Sequence, residues 1–198
     1  MNRNPDLGII CDWVVPGARV LDLGCGDGTL LRHLMDHRKV RGYGLEISDE
    51  NITACINKGV NVLQADLDAG LEAFEDASFD FVIMTQALQV VHHPRKLLRE
   101  ILRIGREGIV TFPNFAHWHN RLALAFRGRM PVSSVLPAQW YDTPNIHLCT
   151  VTDFEALCRE NRIRILRRSM VDHAHRSDVL MRLWPNMLGE IALYKLSA

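Results

Sequence analysis

Residues 20–28 read Val20-Leu21-Asp22-Leu23-Gly24-Cys25-Gly26-Asp27-Gly28. A short apolar run, Arg19 to Leu23, ends in glycines at every second position, and helical apolar spacing then runs from Thr29 to Leu34. A strand that turns through glycines straight into a helix is the opening unit of a nucleotide-type α/β sheet, because glycine lets a ligand approach the backbone closely. Outward from this unit the same rhythm repeats. Val40 to Ile47 predicts a second strand, followed by Ser48 as helix N-cap and Gly59 as helix stop. Val60 to Ala65 predicts a third strand, and Phe79 to Met84 a fourth that is apolar enough to be buried on both faces. Pro94 opens a helix with the stripe Leu97, Leu98, Ile101 and Leu102, closed by Gly105; Gly108 to Phe112 is a fifth strand. Strands separated by helices in this order predict an α/β fold with a doubly wound, mostly parallel sheet.

After Asn114 the rhythm breaks. Residues 115–150 are rich in Trp, His and Pro, with a short helical stretch at Arg121 to Phe126. They read as an insertion, and an aromatic loop region of this length is more often functional than decorative. Alternation then resumes. Thr152-Asp153-Phe154-Glu155 matches a capping box, and Arg162 to Met170 and Glu190 to Leu196 predict two late strands, each with one wet face. The expected organisation is one domain over 1–198: a ligand-binding half at 18–114, the insertion at 115–150, and a C-terminal helix and strands at 151–198.

Composition narrows the function class. The 198 residues carry 23 Lys+Arg against 23 Asp+Glu, which removes a whole-chain electrostatic case for nucleic acid or an anionic membrane. No apolar run approaches the ~18 residues of a membrane span. Five cysteines without a C-x-x-C pair fit a reducing compartment, and no signal peptide is visible, so a cytoplasmic protein is expected.

The acids around the glycine loop select the ligand. A dinucleotide loop wants its third glycine at 29, where Thr29 stands, and Asp22 and Asp27 would repel a pyrophosphate at the helix N-terminus. They suit a ligand carrying an ammonium and a sulfonium, such as S-adenosyl-L-methionine. Glu46 follows Gly26 by 20 residues, at the end of the second strand, where a carboxylate can accept the ribose hydroxyls. Asp66 follows by another 20 and is placed toward the adenine amino group. The expected cofactor-binding set is Asp22, Gly24, Cys25, Gly26, Asp27, Glu46, Ile47, Asp66, Leu67 and Gln86. The competing reading is a tight turn with solvated strand ends; three matching features in order weigh against it.

Residues 18–114 resemble the class I S-adenosylmethionine-dependent methyltransferase superfamily, with residues 20–28 as its first motif. That resemblance implies a Rossmann-like, seven-stranded sheet whose late strands form a C-terminal antiparallel hairpin. Phe112-Pro113-Asn114-Phe115-Ala116-His117-Trp118-His119-Asn120-Arg121 and Trp140-Tyr141-Asp142-Thr143-Pro144-Asn145-Ile146-His147 are more specific. Both stretches are similar to the methionine biosynthesis protein MetW family, as is the chain length. Membership would imply methionine biosynthesis beside a homoserine O-acyltransferase as partner, with S-adenosyl-L-methionine or S-adenosyl-L-homocysteine as ligand, and no known methyl acceptor. The alternative is a methyltransferase acting on a small molecule held under the insertion. Catalytic residues stay unassigned, because alignment of an already activated methyl needs no diagnostic base.

Remaining candidates concern an acceptor or a partner: His92, Asn114, His117, Trp118, Trp140 and Tyr141. Asn114 invites comparison with amino-methylating motifs, but its proline precedes it, so adenine or glutamine methylation is not expected. His117, His119, His92-His93 and His173-x-His175 fix no third metal ligand, and no metal is expected. The arginines Arg159, Arg162, Arg164, Arg167, Arg168 and Arg176 read as a solvated sheet face, with Arg162, Arg164 and Arg168 on one side, rather than as a nucleic-acid site. Trp118, Trp140, Tyr141 and Trp184 suit a partner surface, since interfaces enrich Trp and Tyr.

Overall fold

The computed structural model describes residues 5–172 and 179–198; His173, His175 and Arg176 lie outside the described residues. In chain order the elements are α1 (Pro5–Trp13), β1 (Arg19–Leu23), α2 (Thr29–Arg38), β2 (Arg41–Glu46), α3 (Asp49–Asn57), β3 (Val62–Gln64) and β4 (Phe79–Thr85). Then follow α4 (Pro94–Ile104), β5 (Gly105–Pro113), α5 (Trp118–Leu122), α6 (Val151–Glu160), β6 (Arg164–Val171), α7 (Val179–Leu183), α8 (Pro185–Leu188) and β7 (Ile191–Ser197).

The strands form one seven-stranded sheet in the order β3-β2-β1-β4-β5-β7-β6. The five strands from β3 to β5 are parallel, and β7 runs antiparallel to both β5 and β6. Strand alternation divides the core between two faces. Val20, Phe81, Ile83, Ile109 and Leu193 pack with Ile10 of α1 and Leu30, Leu31 and Leu34 of α2. Leu21, Leu23, Val82, Met84, Val110 and Tyr194 pack with Leu97, Leu98 and Ile101 of α4 and Phe154 of α6. Each such side chain contributes roughly 1.5–3 kcal/mol on full burial. Phe112, Phe154 and Tyr194 meet ring to ring, at 4.8, 5.9 and 4.7 Å between centroids, which seals α6 onto the reversed end of the sheet.

Several local expectations are revised. The helix from Val151 is capped by Thr150, whose extended backbone lets its hydroxyl accept the Asp153 N–H at 3.1 Å and bond the Asp153 carboxylate at 2.7 Å. Thr152 already lies inside that first turn and accepts from Asn186 instead. The insertion helix starts at Trp118, and Ala123–Arg127 continue it as a π-helical turn. β7 is buried on both faces, with Tyr194 in the cluster under α6 and Leu193 in the cluster with Ile10 of α1.

β6 is one of the two edge strands, and the register slips between Ile165 and Arg167. That extra residue reverses the alternation, so Arg164 and Arg167 share a face and Arg168 takes the other, where it pairs with Glu155 at 2.7 Å. Arg162 precedes the strand in a left-handed turn at φ 58°. Charged side chains along an edge strand discourage pairing with another chain.

Asn114, at the end of β5, ties three segments together. Its Nδ2 donates to the Asn186 and Gly189 carbonyls at 3.1 and 2.8 Å, and its Oδ1 accepts from Ala116 and Val151 N–H at 3.2 and 3.3 Å. Two donors and two lone pairs are thereby all used. This buried residue, expected beside an acceptor or partner, is committed to the fold and has no hydrogen-bonding capacity left. Asn114→Ala leaves buried backbone groups unpaired and is expected to cost about 2–3 kcal/mol. A thermal or urea melt with an unshifted midpoint would count against this role.

Candidate active-site cleft

The parallel strands β3, β2, β1 and β4 all end at one edge of the sheet. Between β1 and β4 the chain order reverses, and this is where open α/β sheets hold their ligands. The loop leaving β1 takes left-handed backbone at Gly24, Gly26 and Gly28, with φ of 65°, 54° and 75°. A side chain at any of them would be strained. At Gly26 nothing lies within 4 Å of where a Cβ would point.

Glu46 sets the loop in place. Its Oε2 accepts the Gly26 N–H at 2.8 Å, and its Oε1 accepts Ile47 and Ser48 N–H at 2.9 and 3.0 Å. Three of about four acceptor positions are thus used by backbone, leaving one toward the cleft rather than the pair expected for two ribose hydroxyls. Below it lies Asp22, only 1% exposed, with neither carboxylate oxygen hydrogen-bonded. Burial first, and then the neighbouring Glu46 charge, push its carboxyl up to about 7.

The cleft above this loop has a volume of about 410 Å³, within the ~300–1,000 Å³ usual for small-molecule sites. Gly24, Gly26, Glu46, Ile47, Asp66, Leu67 and Gln86 of the expected set all line it. Its charged lining residues are Glu46, Asp66 and Asp68, all acidic. Asp66 caps a short turn over Leu67–Ala69, accepting the Asp68 N–H at 2.9 Å. Gln86 adopts φ 50°, held by its N–H on the Thr111 carbonyl at 3.0 Å.

Three members of the expected set stand apart from the cleft wall. Asp22 lies beneath it. Cys25 turns inward, its Sγ 3.8 Å from that of Cys55 in the packed layer under the loop, and burial raises its thiol well above the usual range. Asp27 faces outward, ion-paired with Lys58 and bonded to the Thr29 N–H at 3.1 Å; the Lys58 bond holds its carboxyl below the usual range. It adds no net charge to the site.

Asp68 and Asn51 were not singled out in the sequence, yet both line the cleft. Asp68 clamps His92, taking its backbone N–H at 2.9 Å and its Nδ1 at 2.6 Å, and this bond lowers the Asp68 carboxyl. His92 itself is exposed behind it. The acid two residues after Asp66 was the available signal, but only the turn at Leu67–Ala69 brings both to one wall. His117 and Trp118 line a different depression, where His117 Nε2 stands 3.8 Å from Glu190 Oε1. Trp140 stacks edge-on with Tyr141 at 5.5 Å; both are exposed, and Trp140 also borders a cavity beside the cleft. Among the described residues no three His, Cys, Asp or Glu side chains gather as a metal site would require.

An acid-lined cleft, a glycine loop open above Gly26 and an unpaired carboxylate beneath it fit a cationic nucleoside ligand and oppose a diphosphate. Comparison with known proteins gives independent information. The family described as "Methionine biosynthesis protein MetW" matches residues 4–196. A protein of Rhodopirellula baltica named bifunctional methionine biosynthesis protein MetXA/MetW is 37% identical over 163 residues, covering 78% of this chain and 26% of its own. Phosphoethanolamine N-methyltransferase 2 of Caenorhabditis elegans is 29% identical over 98 residues, 47% of this chain and 22% of its own. The chain therefore spans about a quarter of the length of these relatives. Among solved structures, an S-adenosylmethionine dependent methyltransferase from Mesorhizobium loti superposes with TM-score 0.71 at 19% identity, covering 98% of this chain and 96% of that one. One from Archaeoglobus fulgidus gives 0.72 at 14% identity, covering 98% and 92%. These likenesses carry the fold.

Asp22 generates a pH prediction. Between its ordinary pKa of 3.8 and the raised value of about 7, the folded chain keeps a proton that the unfolded chain has released. Stability from this group is full below the lower value and lost as pH rises through the upper one. Asp22→Asn removes the titration, so in ligand-free protein its melting temperature should gain on the parent from pH 4 to pH 8, by roughly 5 °C or more at the top. Parallel melting curves across that range would contradict the assignment.

Proposed function

The chain belongs to the methionine biosynthesis protein MetW family, and from that membership we propose that it binds S-adenosyl-L-methionine in the acidic cleft and works beside a homoserine O-acyltransferase. The observation that carries the ligand half is the charge of the cleft lining: Glu46, Asp66 and Asp68 without a basic residue among the described lining. In this reading Glu46 and Asp66 receive the nucleoside, Ile47 and Leu67 flank it, and the open backbone at Gly26 lets the methionine portion approach. Asp22 supplies negative charge under the ammonium and sulfonium. Bound there, the ligand brings an activated methyl; its demethylated product, S-adenosyl-L-homocysteine, offers its nucleoside to the same carboxylate acceptors.

The partner half rests on the Rhodopirellula baltica relative, whose name joins MetXA and MetW in one polypeptide. Fusion holds two parts at high effective concentration, as suits parts that act together. Exposed Trp118, Leu122, Phe126 and Tyr141 on the insertion supply the aromatic, apolar surface that interfaces favour. If the ligand reports the methyl-donor level to the acyltransferase, each must alter the other's binding by the same factor.

Calorimetric titration tests both halves. S-adenosyl-L-methionine and S-adenosyl-L-homocysteine are expected to bind and NADH to fail, with Glu46→Gln at least tenfold weaker, about 1.4 kcal/mol. Equal affinity for NADH, or an unaffected Glu46→Gln, would defeat the ligand assignment. Immobilised chain should retain the acyltransferase of the same organism and raise its acylation rate; failure of both would defeat the partnership.

A further inference from the structure

Gln86 and Val90 belong to two walls at once. One faces the acidic cleft, and the other faces a cavity of about 240 Å³ roofed by the insertion. Phe115, Met130, Leu136, Trp140 and Leu148 are among its apolar lining, Gln86, Gln89, Thr143 and Asn145 are polar, and no charged residue occurs among its described lining residues. The contrast with the neighbouring cleft, whose charged lining is wholly acidic, is a contrast of ligand chemistry.

One residue lining this cavity carries a polar atom without a partner. Gln89 is 7% exposed, and its Oε1 is buried without a hydrogen bond. The rest of the residue is engaged. Its Nε2 donates to the Gln86 carbonyl at 2.7 Å, and its own carbonyl accepts from Ile146 and His147 N–H at 2.8 and 3.0 Å. These bonds fix the amide orientation, leave the acceptor oxygen over, and hold the 145–147 segment at the cavity edge. A buried acceptor without a donor is destabilising, and a ligand hydroxyl or N–H that reached it would relieve that cost.

We propose that this cavity binds an uncharged, largely apolar small molecule that offers one hydrogen-bond donor to Gln89. An ionised ligand would give up hydration there with no counter-charge in the lining. A zwitterionic amino acid such as homoserine is therefore disfavoured. An apolar cavity of about 150 Å³ holds benzene, so the larger volume here takes a ring with several further atoms. The occupant's role as a possible methyl acceptor rests on the cofactor reading of the adjoining cleft, whereas its binding does not.

Fluorine NMR on the full chain tests this with three probes of one size: 4-fluorophenol, fluorobenzene and 4-fluorobenzoate. At pH 7.5 saturable broadening is expected for 4-fluorophenol, at least tenfold weaker binding for 4-fluorobenzoate, and intermediate binding for fluorobenzene. Gln89→Leu should bring 4-fluorophenol down to the level of fluorobenzene. Ala138→Trp, which enlarges a lining residue that makes none of the Gln89 bonds, should abolish both. Equal binding of the benzoate, or phenol binding that survives Ala138→Trp, would overturn the proposal. S-adenosyl-L-methionine is titrated into the same samples. Its binding without any for 4-fluorophenol overturns this proposal alone, while the converse overturns the cofactor reading and upholds this site.

Discussion

A single carboxylate, Glu46, joins the two turns on which the site is built. By accepting the Gly26 N–H from one loop and the Ile47 and Ser48 N–H groups from the next, it locks the end of β1 to the end of β2. Charge-assisted bonds of this kind are stronger than neutral ones. The left-handed glycines can then expose their backbone without a side chain to anchor them. The arrangement also has an electrostatic cost. Burial first, and then the Glu46 charge, disfavour ionisation of Asp22, whose oxygens have no hydrogen bond. Two acids this close in a dry place favour either a proton or a cation, and that preference distinguishes the cleft from a diphosphate site on the same fold.

The two faces of the sheet divide the labour. The face covered by α1, α2 and α3 holds the cysteine layer beneath the glycine loop. The other face, covered by α4 and α6, is joined through Asn114 to the insertion and to the turn before β7. The insertion is thus attached at its root and at Gln89, while its outer surface keeps exposed aromatic residues. A rigid root with an apolar rim suits both a cavity and a docking surface.

Much of this was legible from local rules. The glycine spacing placed the loop, Ser48 the cap of α3, and Pro94 the start of α4, because each depends on backbone conformations that few residues satisfy. Glu46 and Asp66 were recoverable from successive 20-residue steps past Gly26 and their place at predicted strand ends. Asp27 was not, since its sign at the site depends on Lys58, a residue 31 positions away that turns it outward. The bulge in β6 was equally hidden; one extra residue exchanged the faces of the arginines that follow it, and no alternation pattern records that.

The order of strands and helices, the glycine turn and the acid at the end of β2 were determined by the amino-acid sequence itself, since they follow from hydrophobic period and backbone permission within a few residues. Tertiary structure decided which of those groups keep their charge, which keep a free lone pair, and which face a cavity. Asp22, Asp27 and Glu46 are all carboxylates in one short stretch of sheet edge. Burial leaves the first unpaired, a distant lysine neutralises the second, and backbone donors take most of the third. Asn114 and Gln89 are both buried amides, yet one has every bond satisfied and the other has one to offer. Those differences come from neighbours brought together by folding, because desolvation and hydrogen bonding act through space and not along the chain.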